Sequence, residues 1–183
     1  MLTFLLLTLA ITTEESSARH VRSTDARILT LIDAGISCSA TFRSLIATLN
    51  VSDVIVYIEP NLTRPTLGGY LAHSMVAKGQ YRYLRIAVSI AGSERRLVSL
   101  VAHELQHAVE VAQAPDVRDQ ESLERLFSRR AIAFGCGGTS CFETRAAQSV
   151  DQRVKEELAA RPSADCDGAG AELDDKVRPR FSP

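Results

Sequence analysis

Between Ser93 and Gln113 the chain places Leu97, Leu100, Val101, Leu105, Ala108, Val109 and Ala112 at intervals of three and four. That is the period of an amphipathic helix, and Pro115 closes the run. Inside it stands His103-Glu104-Leu105-Gln106-His107, and these five residues constrain the fold more than any other stretch. Residues four apart lie one above the other on a helix, so the two imidazoles converge on one point. On a strand the same pair would stand about 13 Å apart. Burying two histidines and a glutamate among valine, leucine and alanine is costly unless each of them finds a partner.

The pattern H-E-x-x-H suits a metal. Two neutral imidazoles one helical turn apart are ready zinc ligands. Glu104, about 100° around the helix from His103, can reach a water on the metal without ligating the ion. Zinc lowers the pKa of such a water, and the carboxylate takes its proton. Zinc hydrolases use three protein ligands, so a third is needed. Glu110 follows His107 by three residues, but about 10 Å of helix rise separates it from His103. It is therefore expected as an outer partner of His107. No Gly-x-x-His follows to supply a third histidine. The favoured third ligand is Glu143, 36 residues after His107, at the start of a later helix whose Ala146 and Ala147 permit close approach. The competing role for Glu143 is a charge stabilising that helix's N-terminus. Glu124, Asp119 and Asp151 are the reserves.

Composition narrows the partners. Among 183 residues, 21 basic side chains stand against 22 acidic, which excludes a general polyanion binder. Aromatic content of 5% without tryptophan excludes a base-stacking platform, so no nucleic-acid partner is expected. Met1–Ile11 is apolar, too short for a stable transmembrane anchor, and Ser16-Ser17-Ala18 offers a cleavage site. No basic residue precedes the run. Residues 1–23 are expected to be a signal or leader with its linker, residues 24–160 one folded domain, and residues 161–183 a loose tail rich in Pro and Gly. Export to a periplasm or the exterior follows from a leader; a cytoplasmic protein follows if the apolar run instead packs on the domain.

Along the core, apolar spacing predicts helices over Asp25–Ala34, stopped by Gly35, and over Ser39–Leu49, capped by Asn50. Asp53–Glu59, a β-branched and aromatic run, predicts a buried strand. Residues 69–77 and 80–90 flank Lys78-Gly79 as a hairpin. In its second arm Leu84, Ile86, Val88 and Ile90 face the core, with Arg82 at the wet end. Helices are expected over residues 93–113, from Asp116 to about Ala133, and from about Cys141 to Ala160. Strands before helices predict an α+β domain whose small three-stranded, mainly antiparallel sheet packs on the H-E-x-x-H helix.

The pentapeptide, together with Glu143-Thr144-Arg145-Ala146-Ala147, resembles the gluzincin-type zinc metallopeptidases, in which the third ligand is a Glu on a later helix. The stretch VAHELQHAVEVAQAP resembles small bacterial proteins, many of them carrying export signals. The resemblance spans about residues 53–150 and implies a zincin-like fold. It also implies His103, His107 and Glu143 as zinc ligands, Glu104 as general base and a peptide substrate. The strand Tyr81–Ile90 would form the cleft's upper edge and pair with an extended peptide. The chain departs from larger members in lacking a second subdomain and an evident oxyanion donor. Two further readings stay open: a zincin-fold metal-binding scaffold of little or no activity, and a zinc hydrolase of a non-peptide amide.

Weaker candidates complete the set. His73, Tyr81 or Tyr83 could polarise a substrate carbonyl, and His20 is expected to be solvated in the linker. Cys136 and Cys141 bracket a short Gly-rich loop before Glu143 and could form a disulfide, with Cys38 and Cys166 as a second pair. Free buried thiols are the competing reading. The sequence does not choose a cleavage preference or an oligomeric state.

Overall fold

A computed structural model of the chain describes residues 20–62, 69–71, 75–130, 132–134 and 142–160. Residues 1–19 of the expected leader and linker, His73, Cys136, Cys141 and the expected tail at residues 161–183 lie outside the described residues. The fold is α+β. In chain order it comprises β1 (Val21–Arg22), α1 (Ala26–Cys38), α2 (Ala40–Asn50), β2 (Val54–Pro60), β3 (Gly69–Leu71), β4 (Val76–Lys78), β5 (Tyr81–Val88) and α3 (Glu94–Ala112). Then come α4 (Gln120–Arg130), β6 (Ala133–Phe134), β7 (Phe142–Glu143) and α5 (Arg145–Ala159).

The sheet corrects the antiparallel expectation. Its order is β1-β2-β5-β3, with β4 also paired to β5. β1 and β5 both run parallel to β2, whereas β3 and β4 are antiparallel to β5. β5 inserts between β2 and β3 instead of adding to an edge. The turn into β5 holds Gly79 at φ 61°, a conformation that favours glycine. β1 also moves the start of the domain. Val21 and Arg22, expected in a linker, pair with Val56 and Tyr57. His20, expected in solvent, donates its backbone N–H to Asn50 and meets Tyr81 edge to face at 6.0 Å.

Even-numbered residues of β2 and β5 (Val54, Val56, Ile58, Leu84, Ile86, Val88) join Phe42, Leu97, Val101, Leu105 and Ala108 in one core. Helices therefore cover one face of the sheet, and the odd-numbered residues form the other face. Among the described residues no single helix is long and apolar enough to cross a membrane.

Arg82 is the largest departure from the expected pattern. It shares the inward face and is completely buried. Its guanidinium makes a forked pair with Asp53, at 2.8 and 2.6 Å. It also donates to the carbonyls of Val111, Ala114 and Val117 at 2.7–3.0 Å. Those carbonyls sit at and just beyond the end of α3; Val111 and Ala114 also accept from the Ala114 and Val117 backbone N–H groups, so the arginine adds a side-chain donor to the turn that closes the helix. The arginine expected at the wet end thus caps the helix that carries the histidines.

α1 runs through Gly35 to Cys38, so that glycine does not stop it. A Cβ at Gly35 would lie 2.6 Å from the Phe42 ring, so the glycine admits α2 at close range. Asp25 and Ser39 cap α1 and α2 by accepting from Ile28 and Phe42 backbone N–H groups. Gly35→Ala is expected to destabilise the domain by about 1–3 kcal/mol through overpacking, outweighing alanine's helix propensity. Urea unfolding measures this, and a variant as stable as the parent would show that the Phe42 ring yields freely.

α5 is tied to this pair. The Glu157 carboxylate accepts from Ser39 Oγ, Thr41 Oγ1 and the Thr41 backbone N–H, at 2.5, 2.7 and 3.1 Å. These hydrogen bonds outweigh the cost of its burial and hold its pKa below the usual carboxylate value.

Candidate metal centre

α3 places His103 and His107 one turn apart, with ring centroids at 5.1 Å and planes nearly perpendicular. Glu143 arrives from a different element than expected. The last helix begins at Arg145, not at Cys141, and Thr144 caps it by accepting from the Ala147 N–H. Glu143 lies in β7, opposite Ala133 of β6, and its carbonyl accepts from the Ile132 N–H at 2.8 Å. A two-stranded ladder therefore orients Glu143, and it is not a charge within the first turn of α5. The fully buried Ala147 one turn on lets α5 lie close to α3.

One ligand atom from each of His103, His107 and Glu143 can be chosen so that all three lie within 4.8 Å of one another. His103 Nε2 stands 3.6 Å from Glu143 Oε1. That is too long for a hydrogen bond, but it suits two ligands of one ion, which at bond lengths of about 2.1 Å and tetrahedral angles lie about 3.4 Å apart. Glu143 Oε1 is buried without a hydrogen-bond partner. An orphaned carboxylate oxygen beside an imidazole nitrogen is a costly arrangement that a cation would satisfy. The three side chains thus fit a metal ion of borderline softness.

The surrounding groups set the charge states. Glu110 Oε2 lies 3.0 Å from His107 Nδ1, which orients the ring and leaves Nε2 for a ligand. Burial presses the His107 pKa down, but the bond to Glu110 and the charges of Glu104, Glu110 and Glu143 reverse this, leaving it raised. His103 behaves oppositely: burial, reinforced by His107, brings it down to about 4 and keeps it neutral. Burial lifts the Glu104 carboxyl to about 7, with the Glu143 charge adding to it and His107 opposing. A buried carboxyl poised near neutrality is suited to taking up and releasing a proton. Glu143 is also raised, chiefly by burial.

Phe127 of α4 packs edge to face against His107 at 5.3 Å, a contact the sequence reading did not single out. Its signal was present in the i, i+4 pair Leu123 and Phe127, the two buried residues of a mostly polar helix. None of the reserve ligands belongs to the three-residue cluster, although the Asp151 charge acts on both His103 and Glu143. Glu124 bonds Gln120 in solvent, Asp119 Oδ1 accepts from the Ser122 N–H to open α4, and Asp151 pairs with Lys155 along α5. Tyr81 and Tyr83 fall on the odd-numbered face of β5, the opposite side from α3, so neither reaches the histidines. β5 is also no edge: β2 occupies one side and β3 with β4 the other, so an extended peptide cannot add to it.

Cys38 is buried and disulfide-bonded. Comparison with protein-family models, with curated proteins and with solved structures finds no match to this chain.

Proposed function

We propose that this protein is a zinc-dependent peptidase of the gluzincin type, built on a zincin-like domain. The observation that supports the reading best is the convergence of His103, His107 and Glu143 beside the buried Glu104. The first three would hold the ion. Bound zinc supplies Lewis acidity, lowering the pKa of a water and polarising a carbonyl. Glu104 takes the proton of the attacking water on a carboxylate oxygen and passes it to the leaving amine. Glu110 keeps the proton of His107 on Nδ1, fixing the tautomer. Export accompanies this reading and is supported by the disulfide at Cys38, since such bonds persist in oxidising compartments.

A metal-holding protein without turnover is the second reading. The far-face position of Tyr81 and Tyr83 favours it, because it removes two candidate oxyanion donors. The test is zinc content followed by cleavage of a mixed peptide library, with and without chelator. One zinc per chain and cleavage lost to chelator, then restored by zinc, is the expected result. Zinc without cleavage of any peptide leaves the second reading, and no zinc uptake removes both.

A further inference from the structure

The placement of Phe127 bears on how the two halves of this centre, 36 residues apart in sequence, are held in register. His107 is constrained on three sides: by Glu110 at Nδ1, by the His103 ring and by the Phe127 ring. Phe127 is buried, and with Leu123 it forms the buried apolar anchor of α4, flanked by the partly buried Leu126. The same segment continues into Ile132 and Ala133, which bond and pair with Glu143. One short stretch of chain therefore touches His107 at one end and holds Glu143 at the other.

We infer that Phe127 is a positioning residue of the metal centre, its ring setting the tilt of His107 and, through α4 and β6, the reach of Glu143. The inference rests on the zinc reading and deepens it. An edge-to-face contact between two rings has a preferred geometry, which an aliphatic side chain does not supply. It also keeps water from the protein-facing side of His107, and an apolar shell of this kind governs solvent access to a metal site.

The experiment compares the wild-type chain with Phe127→Ala, Phe127→Leu and Leu123→Ala. Zinc affinity is read by competition with a chromophoric chelator, ligand geometry from the visible spectrum of the cobalt(II) form, and folding from far-ultraviolet circular dichroism. Phe127→Ala is expected to weaken zinc roughly 10–100-fold, the range for groups that orient a ligand, and to change the cobalt bands. Leu123→Ala loosens the same helix but leaves the Phe127 ring against His107, so it should weaken zinc less than Phe127→Ala and shift the cobalt bands less. If Phe127→Ala does not fold, Phe127→Leu replaces it, with a several-fold weaker affinity and altered cobalt bands expected. Wild-type affinity and spectrum in the folded Phe127 variant would overturn the inference, as would equal weakening by Leu123→Ala. Either result leaves the zinc reading intact. A wild-type chain that takes up neither metal overturns the zinc reading and this inference with it.

Discussion

Glu104→Gln should retain one zinc per chain while peptide cleavage falls by roughly 10²–10⁴ in kcat/KM, the range for losing a positioned general base. The retention follows from geometry. His103, His107 and Glu143 form the ligand cluster, and Glu104 stands outside it. Glutamine keeps the shape of the side chain and cannot accept the proton. The substitution should not weaken the fold. Glu104 is 4% exposed, and burial raises its pKa to about 7, so its charged form is disfavoured in the folded state. The amide lacks that penalty, so its melting temperature should equal or exceed that of the parent. His107→Ala is the contrasting variant: it should lose the metal and the activity together. Zinc-replete Glu104→Gln cleaving at the parental rate would show that the carboxylate is not the base.

Arg82→Leu should cost about 3–5 kcal/mol, the range for breaking a buried ionic network by removing one partner. For a domain of this size that is roughly 10–20 °C of melting temperature. Two losses combine. The carbonyls of Val111, Ala114 and Val117 lose the guanidinium as a donor, Val111 and Ala114 keeping only backbone partners, and the Asp53 carboxylate loses its fork. Arg82→Lys should recover little, because an ammonium cannot serve the carboxylate and the helix end together. The neighbouring Arg85 is the control on the same strand. Its side chain is 56% exposed and pairs with an exposed Glu59, so Arg85→Leu should change stability by less than about 0.5 kcal/mol.

The same network fixes a pH dependence. The hydrogen bond from Arg82, opposed by burial and aided by the arginine's charge, holds the folded-state pKa of Asp53 below its unfolded value. The stability it contributes is present above the unfolded pKa and is lost as pH falls through the folded one. The stability gap between parent and Arg82→Leu should therefore narrow on acidification to the part due to the carbonyls. A gap that stays constant down to pH 2 would show that Asp53 does not contribute through its charge.

Several features of the site were readable from residue spacing. Helical periodicity over residues 93–113 and the i, i+4 histidines needed only local geometry, and α3 appears at Glu94–Ala112. Glu110 beside His107 is likewise an i, i+3 relation on one helix. Distance along the chain and small neighbours point to Glu143, but not to its setting in a two-residue strand. Two-residue strands such as β6 and β7 are too short to leave a periodic signature, so periodicity carries the last helix over β7 and the helix before it to the start of β6. Gly35 was read as a stop because glycine is a poor helix former, but the approach of Phe42 decides its role. Arg82 was assigned to solvent by its charge, and its partners lie 29–35 residues away.

The α+β class, the helix bearing the two histidines and the chemical character of the centre follow from local pattern. Helix periodicity and the chemistry of imidazole and carboxylate act within a few residues and do not depend on the rest of the chain. The order and direction of the strands, the burial of Arg82, the far-face position of the tyrosines and the contact of Phe127 with His107 depend on long-range packing. Which face of the sheet the helices cover, and which strand fills the place beside β2, is settled by the joint burial of side chains far apart in sequence. That competition leaves no mark in any one segment.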